Sequence, residues 1–388
     1  VNNTWKIYML TFISFVVGTT QFVIVGILDK IAASFGVSVS TAGQLGSAFS
    51  LAYAIGTPIV MVATAKIDRR KQLLLGLAVL LLGIVLTVAI PGFVFLMASR
   101  VILGVGAGVI TVTAYATAAK MAPPGRQAGA VSNVTLGFSA SIVFGVPIGR
   151  VVAAAYDWIA IFWGIGLLSM MSIVAIMRTI PAMEGEAPVP IGKQLAFLKK
   201  PKIAIAFSLT LLTYLSYSVV YTYITPFLAS VAPKSEQGMS SILFALGIAS
   251  LIGSKLGGFL ADRTGTAYTL VGGMVVQAIA LVLLSIVSGS VSVTVSLLMA
   301  WMIASLAFMP AQTLNLITLA PEASGIMLSL NGSFIQFGFA LGAGIGGIAV
   351  GGTSIMAISW IGAASIALAA VLAVISFGLT RSFSDVRQ

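Results

Sequence analysis

The sequence predicts an all-α membrane protein: twelve transmembrane helices in two pseudo-symmetric six-helix bundles. Three observations predict it. Apolar residues make up 59% of the 388 residues and charged residues 7%, against roughly 45–50% and about 25% in soluble domains. At about 20 residues per crossing, the apolar runs divide into twelve, with polar or Pro/Gly-containing breaks between them. Finally, Met121–Asn133 (MAPPGRQAGAVSN) and Leu319–Asn331 (LAPEASGIMLSLN) are weak copies 198 residues apart, an offset that Gly149 and Gly347 also keep. Duplication places one bundle at residues 1–178, a linker at 179–202 and a second bundle at 203–388.

The expected spans are 7–28, 42–64, 72–90, 94–118, 128–152, 157–178, 203–225, 238–260, 268–287, 291–316, 325–349 and 354–378. The first run is too long for a signal-peptide core and no small-residue cleavage pattern follows it, so it is expected to stay as a span. In the linker, Pro181, Pro188 and Pro190 favour an extended first part. Ile191 to Lys200 suits a short helix on the inner membrane surface, with Ile191, Leu195 and Leu198 inward and the lysines toward anionic lipid. A flexible tether is the alternative.

The net charge of +11 follows the positive-inside rule. With both termini cytoplasmic, fifteen of the twenty basic residues fall on that side, and only Lys30 and Lys234 in outer loops. No basic, aromatic-bearing soluble module is present to bind nucleic acid. The absence of Cys and His excludes disulfides, Cys/His metal sites, thiol nucleophiles and His-containing triads. No P-loop or hydrolase string occurs, and no interfacial cluster of acids supports a membrane-embedded enzyme. The G-x-G-x-x-G match at Gly342–Gly347 follows no strand and lies inside an apolar span, where it reads as helix packing. No cofactor is expected.

Several strings carry more information. Gly258-Phe-Leu-Ala-Asp262-Arg263-Thr-Gly265 joins spans eight and nine; its first-half partner is Ala65-Lys66, followed by Asp68, Arg69, Arg70 and Lys71, without an acid in register. Span four carries Arg100 ahead of Gly104, Gly106 and Gly108, and a charge at such depth needs a partner or a wet cavity. Arg100, Gly104, Ala107, Thr111 and Tyr115 share one helical face. Span five holds Gly137 and then Gly145-Val-Pro147-Ile-Gly149, where small residues permit close helix approach and Pro147 bends the span. Asp157-Trp158 opens span six, and Thr20-Gln21-Phe22-Val23 lies in span one with Gly43-Gln44-Leu45 at the start of span two.

These strings resemble motifs of the major facilitator superfamily, and the first-span string is similar to its twelve-span drug:proton antiporter family, in the branch of bacterial arabinose-type, purine and multidrug exporters. The resemblance covers nearly the whole chain. It implies two bundles rocking about a central cavity, with Asp68, Arg69, Arg70, Gly258, Asp262, Arg263, Gly265, Gly145, Pro147 and Gly149 as conformational motifs. It also implies export of small amphipathic or lipophilic molecules from a bacterial cytoplasm in exchange for protons, by a monomer in the inner membrane. Substrate, protons and the lipid bilayer are then the partners.

The sequence departs from that pattern in one place that matters most. Gln21 stands where the branch usually has Glu; Asp29 also replaces a usual proline and Ile159 a usual arginine. A carboxyl group in an apolar cavity has its pKa raised and can load protons near neutral pH, whereas an amide cannot titrate. The nine acids, Asp29, Asp68, Asp157, Glu184, Glu186, Glu236, Asp262, Glu322 and Asp385, all fall in expected loops or span ends.

The resemblance therefore implies position 21 as the coupling position, with Arg100 tuning it. Substrate-binding candidates are Thr20, Thr111 and Tyr115, the stripe Thr210, Tyr214, Tyr217 and Tyr221 in span seven, and Trp301, Ser305, Phe308, Gln312 and Asn315 in span ten. Each stripe follows helical spacing, and the family places spans one, four, seven and ten around the cavity. Asn133 and Asn331, matched across the repeat, suit helix contacts. A facilitator or exporter of sugars or purine nucleosides or bases, without strict proton coupling, is the alternative that Gln21 favours.

Overall fold

The structure is a computed structural model that describes residues 3–123, 127–183, 190–231, 236–286 and 290–385, without the side chains of 3, 4, 128, 191, 236, 237 and 379–385. Arg126, Glu184, Glu186, Pro188, Lys234 and Arg387, and the side chains of Ile191, Glu236, Arg381 and Asp385, lie outside the described residues. Among the described residues twelve helices are long and apolar enough to cross a membrane: Trp5–Gly26, Val39–Ala63, Arg69–Ala89, Phe93–Met121, Gly129–Ala155, Trp158–Thr179, Pro201–Tyr221, Gly238–Thr264, Thr266–Ile286, Val291–Leu319, Pro321–Gly352 and Ala357–Gly378. Their outward faces are apolar: Leu82, Met170, Ile279 and Val371 are each more than half exposed. A surface of that kind suits hydrocarbon, where only helices and closed barrels satisfy the backbone.

Local chemistry fixes where the spans begin. The Ser38 hydroxyl accepts from the Thr41 amide at 3.0 Å, Asp68 Oδ1 from the Lys71 amide at 3.2 Å, and Asp157 Oδ1 from the Trp158 amide at 2.6 Å. Each is an N-cap that occupies a donor left open at a helix start. Gly265, at φ +91°, turns span eight into span nine, a left-handed conformation that costs a glycine little.

Two short helices, Leu28–Phe35 and Ile224–Val231, follow the first span of each half. Their recurrence at matching places is a structural echo of the sequence repeat. In the linker, Ile191–Ala196 is helical and Phe197–Lys199 forms a 3₁₀ turn. Phe197 and Leu198 pack against a buried cluster that includes Ile203, Phe207 and Leu316, whereas Leu195 is 48% exposed.

The chain forms two compact units, Val1–Pro190 with Lys234–Gly247, and Ile191–Pro233 with Ile248–Gln388. In the first unit, span one runs along span five, span four packs on spans two and three, and span six lies on span three. In the second, span seven packs on spans eleven and twelve, and span nine lies between ten and twelve.

Glycines set the closest approaches. A Cβ built on Gly137 would lie 1.9 Å from the Thr11 carbonyl oxygen, and one on Gly149 2.3 Å from Val23. The second unit does the same between spans seven and eleven, where a Cβ on Gly342 would lie 2.5 Å from the Leu215 carbonyl oxygen. Span five is not a continuous α-helix: Ser141–Gly145 is one π turn, two residues before Pro147. Proline lacks the amide that would bond back one turn, and the wider turn accommodates that gap.

Candidate functional site

In the first unit the depth of Arg100 is resolved by its surroundings. The side chain is fully buried and does not reach out to the membrane surface. Its Nη1 donates to the Thr20 carbonyl at 2.9 Å, Nη2 to the Gln21 carbonyl at 3.3 Å and Nε to the Leu45 carbonyl at 3.5 Å. The guanidinium also sits 4.4 Å from the centre of the Phe49 ring. Arg100 thus ties spans one and two to span four at position 21, and backbone dipoles and a ring face solvate its charge.

The candidates around this cation are less open than their spacing suggests. Gln21 is 6% exposed and Thr20 fully buried, with its hydroxyl donating to the Val16 carbonyl at 2.9 Å. Thr111 likewise donates to Ala107, at 2.8 Å. Tyr115 is half-buried and its hydroxyl accepts from Thr135 at 3.5 Å. At the far end of span one, Arg150 Nη1 bonds the Gly26 carbonyl at 3.0 Å and pairs with Asp29 at 2.5 Å, joining span five to span one. The departure from proline at position 29 therefore supplies an ion pair.

The motif positions divide by copy. In the first copy Arg70 donates to the Met177 carbonyl, Arg69 Nη1 to Gln72 Oε1 at 3.1 Å, and the Arg69 amide to Met183 at 3.0 Å, so the loop is held to the end of span six and the start of the linker. In the second, Asp262 and Arg263 are exposed, with Arg263 5.7 Å from the Phe259 ring centre, and Gly258 meets Pro310 only in ordinary contact. Gly145 and Pro147 flank the junction of the π turn with the last helix of span five, and a Cβ on Gly145 would lie 2.5 Å from Thr19 Oγ1.

In the second unit the two stripes separate into a polar network and an aromatic cluster. Gln312 Nε2 donates to the Ala206 carbonyl at 2.6 Å and to Thr210 at 3.0 Å; Thr210 donates to Asn331 Oδ1 at 2.8 Å, and Asn315 to Gln312 Oε1 at 3.2 Å. All four side chains are buried; Gln312, Thr210 and Asn331 hold spans seven, ten and eleven together, and Asn315 extends the network along span ten. Ser305 turns toward span nine, donating to Gln277 Oε1 at 3.0 Å. Asn133, the repeat partner of Asn331, is half-buried.

The aromatic side chains form the other group. Tyr217 stacks on Trp301 at 5.4 Å and on Tyr221 at 5.0 Å. Tyr214 meets Phe308 at 6.2 Å, and Phe339 of span eleven closes against both Tyr214 and Tyr217, at 5.4 and 5.7 Å. Sequence reading missed Phe339 because span eleven offers no aromatic stripe at that spacing. The buried Tyr217 hydroxyl and Trp301 Nε1 have no hydrogen-bond partner among the described residues. A buried donor without a partner is costly, so these two donors are the groups in the cluster left for an acceptor to satisfy.

The sequence model of the Major Facilitator Superfamily matches residues 10–323. The chain belongs to the major facilitator superfamily. This superfamily member is 43% identical over 389 residues to the "Uncharacterized MFS-type transporter YbcL" of Bacillus subtilis (strain 168), covering 100% of both chains. It is 28% identical over 337 residues to the "Inner membrane transport protein YdhP" of Escherichia coli (strain K12), covering 87% of this chain and 86% of the relative. A bacterial homolog of the human lysosomal transporter Spinster shares the fold. Its inward-facing, occupied form has a TM-score of 0.78 at 16% identity over 99% and 98% of the two chains; the unoccupied form has 0.74 at 17% over 97% and 95%. The relatives are transporters and not enzymes, and this superfamily member is a multi-pass membrane transporter.

Proposed function

We propose that the protein exports small amphipathic or lipophilic molecules by alternating access of its two bundles, from the cytoplasm of a bacterial cell through the inner membrane, as a monomer with both termini cytoplasmic. The observation that carries this reading is the cluster of Tyr214, Tyr217, Tyr221, Trp301, Phe308 and Phe339 with its two unpartnered donors. Ring faces suit flat apolar substrates, and the donors suit a substrate bearing one or two acceptors. The drug:proton antiporter motifs support the direction of transport, and position 21 with Arg100 is the proposed coupling point.

A second reading has its own support. The buried cation beside position 21 is solvated by carbonyl groups and a ring, and Gln21 does not titrate, which favours facilitated movement of sugars or nucleosides without strict proton coupling. A thermal-shift panel of drugs, nucleosides and sugars on the reconstituted protein separates the two. Export of lipophiles predicts stabilisation by aromatic compounds, weakened in Tyr217→Phe by about 1 kcal/mol, the size of one hydrogen bond. Stabilisation by sugars alone, with counterflow in the absence of a pH gradient, would favour the facilitator.

A further inference from the structure

A cavity of about 200 Å³ opens in the second unit between the ends of spans seven, ten and twelve nearest the linker. Its walls are mixed in a directional way. Leu209, Leu319 and Phe377 supply apolar surface, Asn315 supplies an amide that is 7% exposed, and Lys202 lines the cavity while its side chain stays exposed. Asn315 is also the end of the buried amide network, since its Nδ2 donates to Gln312. The cavity is therefore continuous with the contacts that join spans seven, ten and eleven.

The charge around it has one sign over a long stretch. From Ile191 to Lys202 the chain carries Lys193, Lys199, Lys200 and Lys202 and no acid. All four lysines are exposed, while Phe197 and Leu198 dock on the core of the same unit and hold the segment beside the cavity. Lys200 lies over the Phe197 ring at 5.3 Å. The nearest acid in sequence to the far wall is the exposed Glu322, three residues beyond Leu319, so the basic groups outnumber it.

We propose that this cavity binds the headgroup of an anionic phospholipid, with the phosphate at Lys202, a polar headgroup atom at Asn315 and the first acyl carbons against Leu209, Leu319 and Phe377. Basic pockets between helices at the cytoplasmic surface are where anionic headgroups bind. The lysine-rich linker segment raises the local concentration of such lipids, and the cavity selects one. Because the cavity abuts the network of Gln312, Thr210 and Asn331, the bound lipid would steady the inner ends of spans seven, ten and eleven. This proposal does not depend on what the protein transports.

Native mass spectrometry of the full chain, released from nanodiscs containing phosphatidylglycerol and phosphatidylcholine, is the test. One phosphatidylglycerol is expected to stay bound in preference to phosphatidylcholine. Lys202→Gln should weaken retention about fivefold, matching the ~1 kcal/mol that a lysine near an anionic surface contributes, while Lys193→Gln should weaken it less. Leu319→Trp, which fills the cavity and leaves every lysine in place, should abolish the adduct, with a melting curve to verify that the variant is folded. Equal retention of the two lipids, or an adduct that survives in folded Leu319→Trp, would overturn the site. Displacement of the lipid by inorganic phosphate alone would overturn the lipid assignment, because a headgroup held only by its charge has no use for the apolar walls.

Discussion

Spans one and five in the first unit and spans seven and eleven in the second are equivalent pairs in a duplicated chain, and they are joined differently. Both use glycine to bring backbones into contact, at Gly137 against Thr11 and at Gly342 against Leu215. Beyond that the chemistry diverges. The first pair adds a π turn before Pro147 and the Arg150–Asp29 ion pair; the second adds neutral hydrogen bonds, from Thr210 to Asn331, Ser218 to the Phe339 carbonyl and Tyr223 to the Ala343 carbonyl. Duplication preserved the close approach, which sterics enforce, and left the polar contacts free to specialise. Between these equivalent pairs the ion pair lies in the first half and the Thr210–Asn331 amide contact in the second.

The largest effect should come from breaking what the pairs share. Gly137→Leu and Gly342→Leu each force a side chain into backbone, and both should destabilise the protein at or above the ~1–3 kcal/mol typical of overpacking, read as a fall in melting temperature in nanodiscs. Gly164→Leu, where a Cβ meets nothing within 4 Å, is the control and should change little. If Gly342→Leu were tolerated while Gly137→Leu was not, the two interfaces would not be equivalent.

A smaller effect separates the halves. Asn331→Leu removes the acceptor of Thr210 and disturbs the Gln312 contacts, at a cost of about 1–3 kcal/mol for buried polar groups left unsatisfied. Asn133→Leu, at the half-buried repeat position, should stay within about 0.5 kcal/mol. Equal losses at the two positions would place a comparable network in the first half.

The smallest effect is expected at the ion pair. Asp29 is 31% exposed, and the buried Arg150 keeps the Gly26 carbonyl and, in Asp29→Asn, an amide oxygen to donate to, so the substitution should cost about 0.5–1 kcal/mol. That cost should shrink as salt is raised. A loss that is large and independent of salt would mean that the pair acts as a buried clamp.

How much of this was legible in the sequence depends on the range of the interaction involved. The twelve spans follow from runs of apolar residues, a local property, and their ends shifted where caps and breaks intervene: span two begins at Val39 behind Ser38, earlier than residue 42. The π turn was invisible because Pro147 signals a bend without saying how the preceding turn absorbs it. The aromatic stripe was visible by spacing, but its closing member, Phe339, comes from another helix. Most telling are the polar stripe residues: helical spacing put Ser305, Gln312 and Asn315 on one face with Trp301 and Phe308, and only the packed structure shows Gln277 and Thr210 drawing Ser305 and Gln312 into contacts between helices, while Asn315 turns to Gln312 on its own helix. Arg100 was legible as a costly charge, while its carbonyl partners, which any sequence supplies, were not.

The division of labour between the halves rests finally on position 21, where the first half holds a buried cation beside a residue that cannot titrate. The direct measurement is the initial rate of substrate efflux from proteoliposomes against an imposed pH gradient, for the chain with Gln21 and for Gln21→Glu. A shallow dependence is expected for the chain with Gln21 and a steep one for Gln21→Glu, with efflux rising as the side that receives the substrate is made more acidic. An unchanged pH dependence in a folded Gln21→Glu protein would contradict it.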